Sequence, residues 1–196
     1  LTACNARKDV ASEEEFITKD YTFEDLNEIT IKDIHLKQGG RYFGANVYFM
    51  EADTNKISIA ASKDVLEEIK VKEFNSEITI SANKYKNYVT KSVDIYVYGY
   101  QFEEFNLSNV DAIINKSAFM GKNIDLNLSG ACKAEIDEIS KDLDLDTSGA
   151  SAVYIKKMEE NAVLAKNKNK IQTLNNIKMK KKKKMVSKTK SEKNLW

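Results

Sequence analysis

From Tyr21 onward the chain alternates apolar and polar residues in short stretches. Ile29/Ile31, Val47/Phe49, Ile57/Ile59, Ile69/Val71, Ile78/Ile80 and Val93/Ile95/Val97 all recur at period two. This is the period of a strand with one face buried and the other wet. Helical spacing occurs only at Asp64 to Ile69, and that stretch is short. The chain has no proline, which leaves Gly39-Gly40, Gly44, Asn55, Asn75 and Asn83 to make the turns. Strand-sized stretches this closely spaced predict an all-β fold.

The second half adds an internal match. Ile124-Asp-Leu-Asn-Leu-Ser-Gly-Ala-Cys-Lys-Ala-Glu-Ile136 aligns with Leu143-Asp-Leu-Asp-Thr-Ser-Gly-Ala-Ser-Ala-Val-Tyr-Ile155 at an offset of 19. A third copy, Phe105 to Ile113, places Leu107-Ser108-Asn109 where the first has Leu128-Ser129-Gly130. A unit this short cannot hold the pair of helices of the usual helical repeats, but it suits one coil of a parallel β-solenoid. Ile124, Leu126 and Leu128 are then expected to point inward and stack on Leu143, Leu145 and Thr147, with Asp125 and Asn127 in water. Ser129-Gly130 and Ser148-Gly149 are read as corners, where positive φ is free for glycine and costly for other residues. Cys132, Ala134 and Ile136 should stack under Ser151, Val153 and Ile155, so Cys132 reads as a small buried filler.

The Ser-Gly-Ala-Cys and Ser-Gly-Ala-Ser corners, preceded by the opening segment Tyr21-Thr-Phe-Glu-Asp-Leu-Asn-Glu-Ile29, resemble the GIN-type head domain of auto-transporter adhesins from Bacteroidetes. The resemblance covers about Tyr21 to Ile155. It implies a right-handed parallel β-helix-like single domain, export, anchoring through a lipobox cysteine, and an adhesive role. It brings no catalytic residues. The chain departs from the family pattern after Ile155, where Asn167-Lys168-Asn169-Lys170 replaces the next corner. The expected organisation is a lipobox remnant and linker over 1–20, the head domain over 21–155, a degenerate last coil or cap over 156–177, and a disordered lysine-rich tail over 178–196.

Charge divides along the same line. Residues 1–155 carry 17 Lys and Arg against 27 Asp and Glu, while residues 156–196 carry 14 against 3. The near-neutral total therefore joins an acidic body to a basic tail. Nucleic acid is not an expected partner, because no aromatic residues interleave the lysines. Leu1-Thr2-Ala3-Cys4 resembles a bacterial lipobox, which makes Cys4 the expected lipidation site and the outer membrane or cell surface the expected location.

Catalytic signatures are sparse. The one histidine, His35, alternates outward between Ile34 and Leu36, and no nucleophile triad, paired-cysteine motif or phosphate loop is present. No disulfide between Cys4 and Cys132 and no cofactor is expected. Two binding features stand out. Tyr96, Tyr98 and Tyr100 share one strand face, with Tyr85 and Tyr88 before them, and suit stacking on a glycan or a partner protein; the competing reading packs these rings against the leader. Asp125, Asp144 and Asp146 form a weak calcium candidate, opposed by the simpler reading of a solvated acidic face. The expected function is an envelope-anchored, adhesin-like or structural solenoid that binds glycans or proteins and is not an enzyme. The alternative is a carbohydrate-active β-helix, a polysaccharide lyase or hydrolase.

Overall fold

The structure is a computed structural model that describes residues 16–38, 40–83, 92–99, 102–114, 123–139, 142–158, 164–167 and 171–172. Cys4, Tyr85, Tyr88, Tyr100 and the lysine-rich segment lie outside the described residues.

The described chain is all-β apart from one short helix. One sheet, here sheet B, contains β2 (Glu28–Lys32), β7 (Lys70–Phe74), β8 (Glu77–Ser81), β10 (Glu104–Ser108), β12 (Ile124–Ser129), β14 (Leu143–Thr147) and β16 (Leu164–Asn167), in the order β16-β14-β12-β10-β2-β8-β7. The facing sheet A contains β1 (Phe16–Phe23), β5 (Ala45–Met50), β6 (Asn55–Ser62), β9 (Asp94–Tyr98), β11 (Val110–Ile114), β13 (Lys133–Ile139), β15 (Ala152–Met158) and β17 (Ile171–Gln172), in the order β1-β6-β9-β5-β11-β13-β15-β17. A small hairpin, β3 (Leu36–Gln38) with β4 (Arg41–Phe43), interrupts the path from β2 to β5.

The chain repeatedly lays one strand in sheet B and the next in sheet A, and these strands pair in parallel with those of neighbouring passes. The passes do not stack in chain order. The pass β8–β9 lies outside β2–β5, although it follows it in sequence, and β2 then pairs directly with β10. Both sheets are mixed. Beyond β9, sheet A continues antiparallel through β6 and β1, and beyond β8, sheet B ends in antiparallel β7. Helix α1 (Lys63–Glu68) joins β6 to β7 and buries Val65 and Leu66.

Alternation explains why the two sheets face each other. Ile78, Ile29, Phe105, Leu126 and Leu145 are successive register partners across sheet B, and Ile95, Val47, Ala112, Ala134 and Val153 across sheet A. All ten are buried. Each large aliphatic side chain in such a column contributes about 1.5–3 kcal/mol. Phe49, Phe102 and Phe105 fill the middle, with ring centroids 4.7 to 5.9 Å apart.

The corners are tight where the three copies align. Gly130 and Gly149 take φ of 69° and 70°, and Asn109 takes 56° at the equivalent bend. The ladder continues around the bend, with Ser148 N donating to Leu128 O, Ala150 N to Gly130 O, and Ala152 N to Cys132 O, all within 2.9 Å. A methyl group on Gly149 would lie 2.7 Å from Gly130 O, so close stacking of backbone as well as φ requires glycine. Cys132 is buried beneath this corner, its thiol 3.0 Å from Ser129 O, and burial raises its pKa.

Candidate binding faces

The outward positions of sheet B form three polar columns. At the first, Glu77, Glu28, Glu104, Asp125 and Asp144 are successive register partners. Two residues further along each strand stand Thr79, Thr30, Asn106, Asn127 and Asp146. The next outward positions include Ser81 and Lys32, paired to each other, and Ser108 and Ser129, likewise paired, with Ser148 following β14. Parallel strands about 4.8 Å apart thus turn single residues into rows of like chemistry.

The first two columns are tied together. Asn106 Nδ2 donates to Glu28 Oε1 at 2.9 Å and to Glu104 Oε1 at 3.1 Å. Asn127 Nδ2 donates to Asn106 Oδ1 at 2.9 Å and to Glu104 Oε1 at 3.3 Å. Partial burial, followed by the charges of Glu104 and Glu77, holds Glu28 above the ordinary carboxylate range, and its bond from Asn106 opposes the rise. Asp125 is raised by partial burial, then by Asp144 and Glu104. A shallow groove of about 270 Å³ runs over the second and third columns, lined by side chains that include Thr30, Lys32, Asn106, Asn127, Ser129 and Asp146.

Sheet A presents a different surface. Tyr48 and Tyr96 are register partners whose rings stack at 4.9 Å and 15°. One face of Tyr96 is therefore taken by Tyr48. Lys56 Nζ stands 6.0 Å from the centre of the Tyr98 ring. The described part of the leader, Phe16–Phe23, extends the sheet in plane beyond β6 as β1. Asp20 on β1 accepts from Ser58 Oγ at 2.6 Å and pairs with Lys56 at 2.9 Å. These bonds, led by that from Lys56, lower its pKa.

The family model described as "Putative auto-transporter adhesin, head GIN domain" matches residues 42–181. The chain belongs to this family. No curated protein matches it. Among solved structures, this GIN-domain chain is similar to one described as "Putative lipid binding protein" from Parabacteroides distasonis, at 12% identity and TM-score 0.50, covering 75% of this chain and 60% of that one. It is also similar to structures each described as a "putative adhesin", from Parabacteroides merdae at 12% identity and TM-score 0.48, covering 74% of this chain and 68% of that one, and from P. distasonis at 12% and 0.46, covering 74% and 67%. At such identity the likeness concerns the fold alone.

In this GIN domain the residues singled out from sequence fall in three places. Ser129, Gly130, Ser148 and Gly149 lie together at the corner between the sheets. Tyr96 and Tyr98 face outward on sheet A, and Tyr100 is outside the described residues. Asp125 and Asp144 are partners in sheet B, but Asp146 pairs with Asn127 in the next column. The acidic residues form a line, and among the described residues no three His, Cys, Asp or Glu side chains are placed to hold a metal ion. Sequence reading missed Tyr48, Glu28 and Glu77, because their partners are set by strand order; it also passed over Glu104 and Asn106, although their pairing with Asp125 and Asn127 follows the offset of the third aligned copy. No described helix is long and apolar enough to cross a membrane.

Proposed function

We propose that this GIN-domain chain is a cell-surface binding protein of adhesin type, a β-solenoid displayed from the envelope that engages glycans or proteins without chemical turnover. The observation that carries this reading is the in-register stacking of outward side chains across sheet B, where Asn106 and Asn127 join consecutive strands. Such a face offers many shallow contacts along one axis, and repeated weak contacts suit adhesion through avidity. Family membership supports the same reading. Attachment through a lipid on Cys4 would place the body at the outer membrane or cell surface, since bacterial lipoproteins carry several acyl chains and more than one chain makes an anchor firm.

Purified chain should bind glycans on an array or intact cell surfaces and leave those glycans uncleaved. Absence of binding to either, or steady release of new reducing ends, would overturn the reading. Metabolic labelling with a lipid precursor should depend on Cys4, and labelling retained in Cys4→Ser would remove the anchor.

A further inference from the structure

We infer that the sheet B groove binds a linear glycan bearing free amino groups, laid along the stacking axis so that successive sugar rings meet successive strands. This deepens the adhesin-type reading and rests on it. The lining side chains are alcohols, amides, one amine and one carboxylate; Leu107 and Leu128 also line it, but both are buried and offer the groove little apolar surface. A ligand there must supply donors and acceptors along its length and needs little apolar surface. Polyhydroxylated chains have that character.

The cross-section of the face sets the orientation and the charge. One border is the carboxylate column, where like charges repeat about every 4.8 Å. The opposite border is hydroxylic, with Ser108, Ser129 and Ser148, and carries Lys32 at one end. Between them the amides of Asn106 and Asn127 already donate to Glu28 and Glu104, which fixes the carboxylates before any ligand arrives. An ammonium group over the first column would relieve repulsion that the fold imposes, and ring hydroxyls would fall over the amide and serine columns. An acidic polysaccharide would meet the wrong charge. A single divalent cation would find the carboxylates spread along a line instead of around a point.

Calorimetry on the full chain with a glucosamine hexamer, its fully N-acetylated counterpart and a polylysine peptide tests this. The amino hexamer should bind, and acetylation should weaken binding about tenfold, as should the isosteric pair Glu104→Gln with Asp125→Asn. Asp137→Asn, on the other sheet where it pairs with Lys156, should leave binding unchanged, and melting of the amide variant no lower than that of the parent shows that it still folds. Equal affinity for both hexamers, or full binding by the amide variant, overturns the inference. So does polylysine that binds as tightly as the amino hexamer with the same loss, because charge alone would then suffice. Binding lost in Asp137→Asn but kept in the amide variant removes the groove and leaves the adhesin-type reading standing. Binding to cell surfaces with neither hexamer bound also overturns the inference and spares that reading.

Discussion

The two halves of this GIN domain solve the same stacking problem differently. From β12 to β15 each strand meets its neighbour at one offset, 19 residues in both sheets, and short glycine bends join the sheets. From β1 to β9 the chain inserts a hairpin, a helix and three antiparallel strands, and it lays β8–β9 outside β2–β5. The uniform half extends the stack, while the irregular half closes one end. A sheet edge left parallel and open invites pairing with other chains, and β1 and β7 with their lysines occupy those positions here.

The comparison can be broken at the junction between the halves, where the largest effect is expected. A methyl on Gly44 would stand 1.6 Å from the Asn109 carbonyl oxygen, so Gly44→Ala must displace backbone joining β5 to β11. Destabilisation of roughly 4–5 kcal/mol or more is expected by denaturant unfolding. Leu126→Ala empties a fully buried position in the uniform half and should cost about 2–5 kcal/mol. Gly149→Ala forces a residue with a Cβ to φ 70° against Gly130 and should cost about 1–2 kcal/mol from conformation alone. Asn109→Gly relaxes the same bend but removes the bond from Ala131 N to Asn109 Oδ1, so the balance should stay within about 1 kcal/mol.

The smallest expected effect is electrostatic and belongs to the column that crosses both halves. Glu28 and Asp125 have pKa values raised in the folded chain, so the neutral form is favoured by folding. Their contribution to stability is fully present below the unfolded values and is lost as pH rises through the folded ones. Melting temperature should therefore fall slightly as pH rises just past the ordinary carboxylate range, and less so in Glu28→Gln with Asp125→Asn. Added salt should offset part of the loss by screening the column.

The uniform half was legible in the sequence, since a constant offset is itself a register. Leu126 with Leu145 and Asp125 with Asp144 pair as the aligned copies require. Asn109 was legible for a related reason, because asparagine tolerates the left-handed bend that glycine fills in the other copies. The irregular half was not. Tyr48 meets Tyr96 across 48 positions and Glu28 meets Glu104 across 76, with the whole of β8–β9 between them in sequence. Period-two alternation says which face a residue occupies but not which strand lies beside it. The groove was half visible for the same reason: Asn106, Asn127 and Asp146 lie in aligned copies, whereas Thr30 joins them only through the β2–β10 pairing.

Spin labels at Asp125→Cys and Asp144→Cys, in a chain also carrying Cys4→Ser and Cys132→Ala, measure the stacking most directly. Parallel partners one strand apart should give strong dipolar broadening, and the pair Asp125→Cys with Lys156→Cys, on opposite sheets, should give much less. Equal spectra for the two pairs would contradict the register on which the columns, the groove and the proposed binding mode all depend.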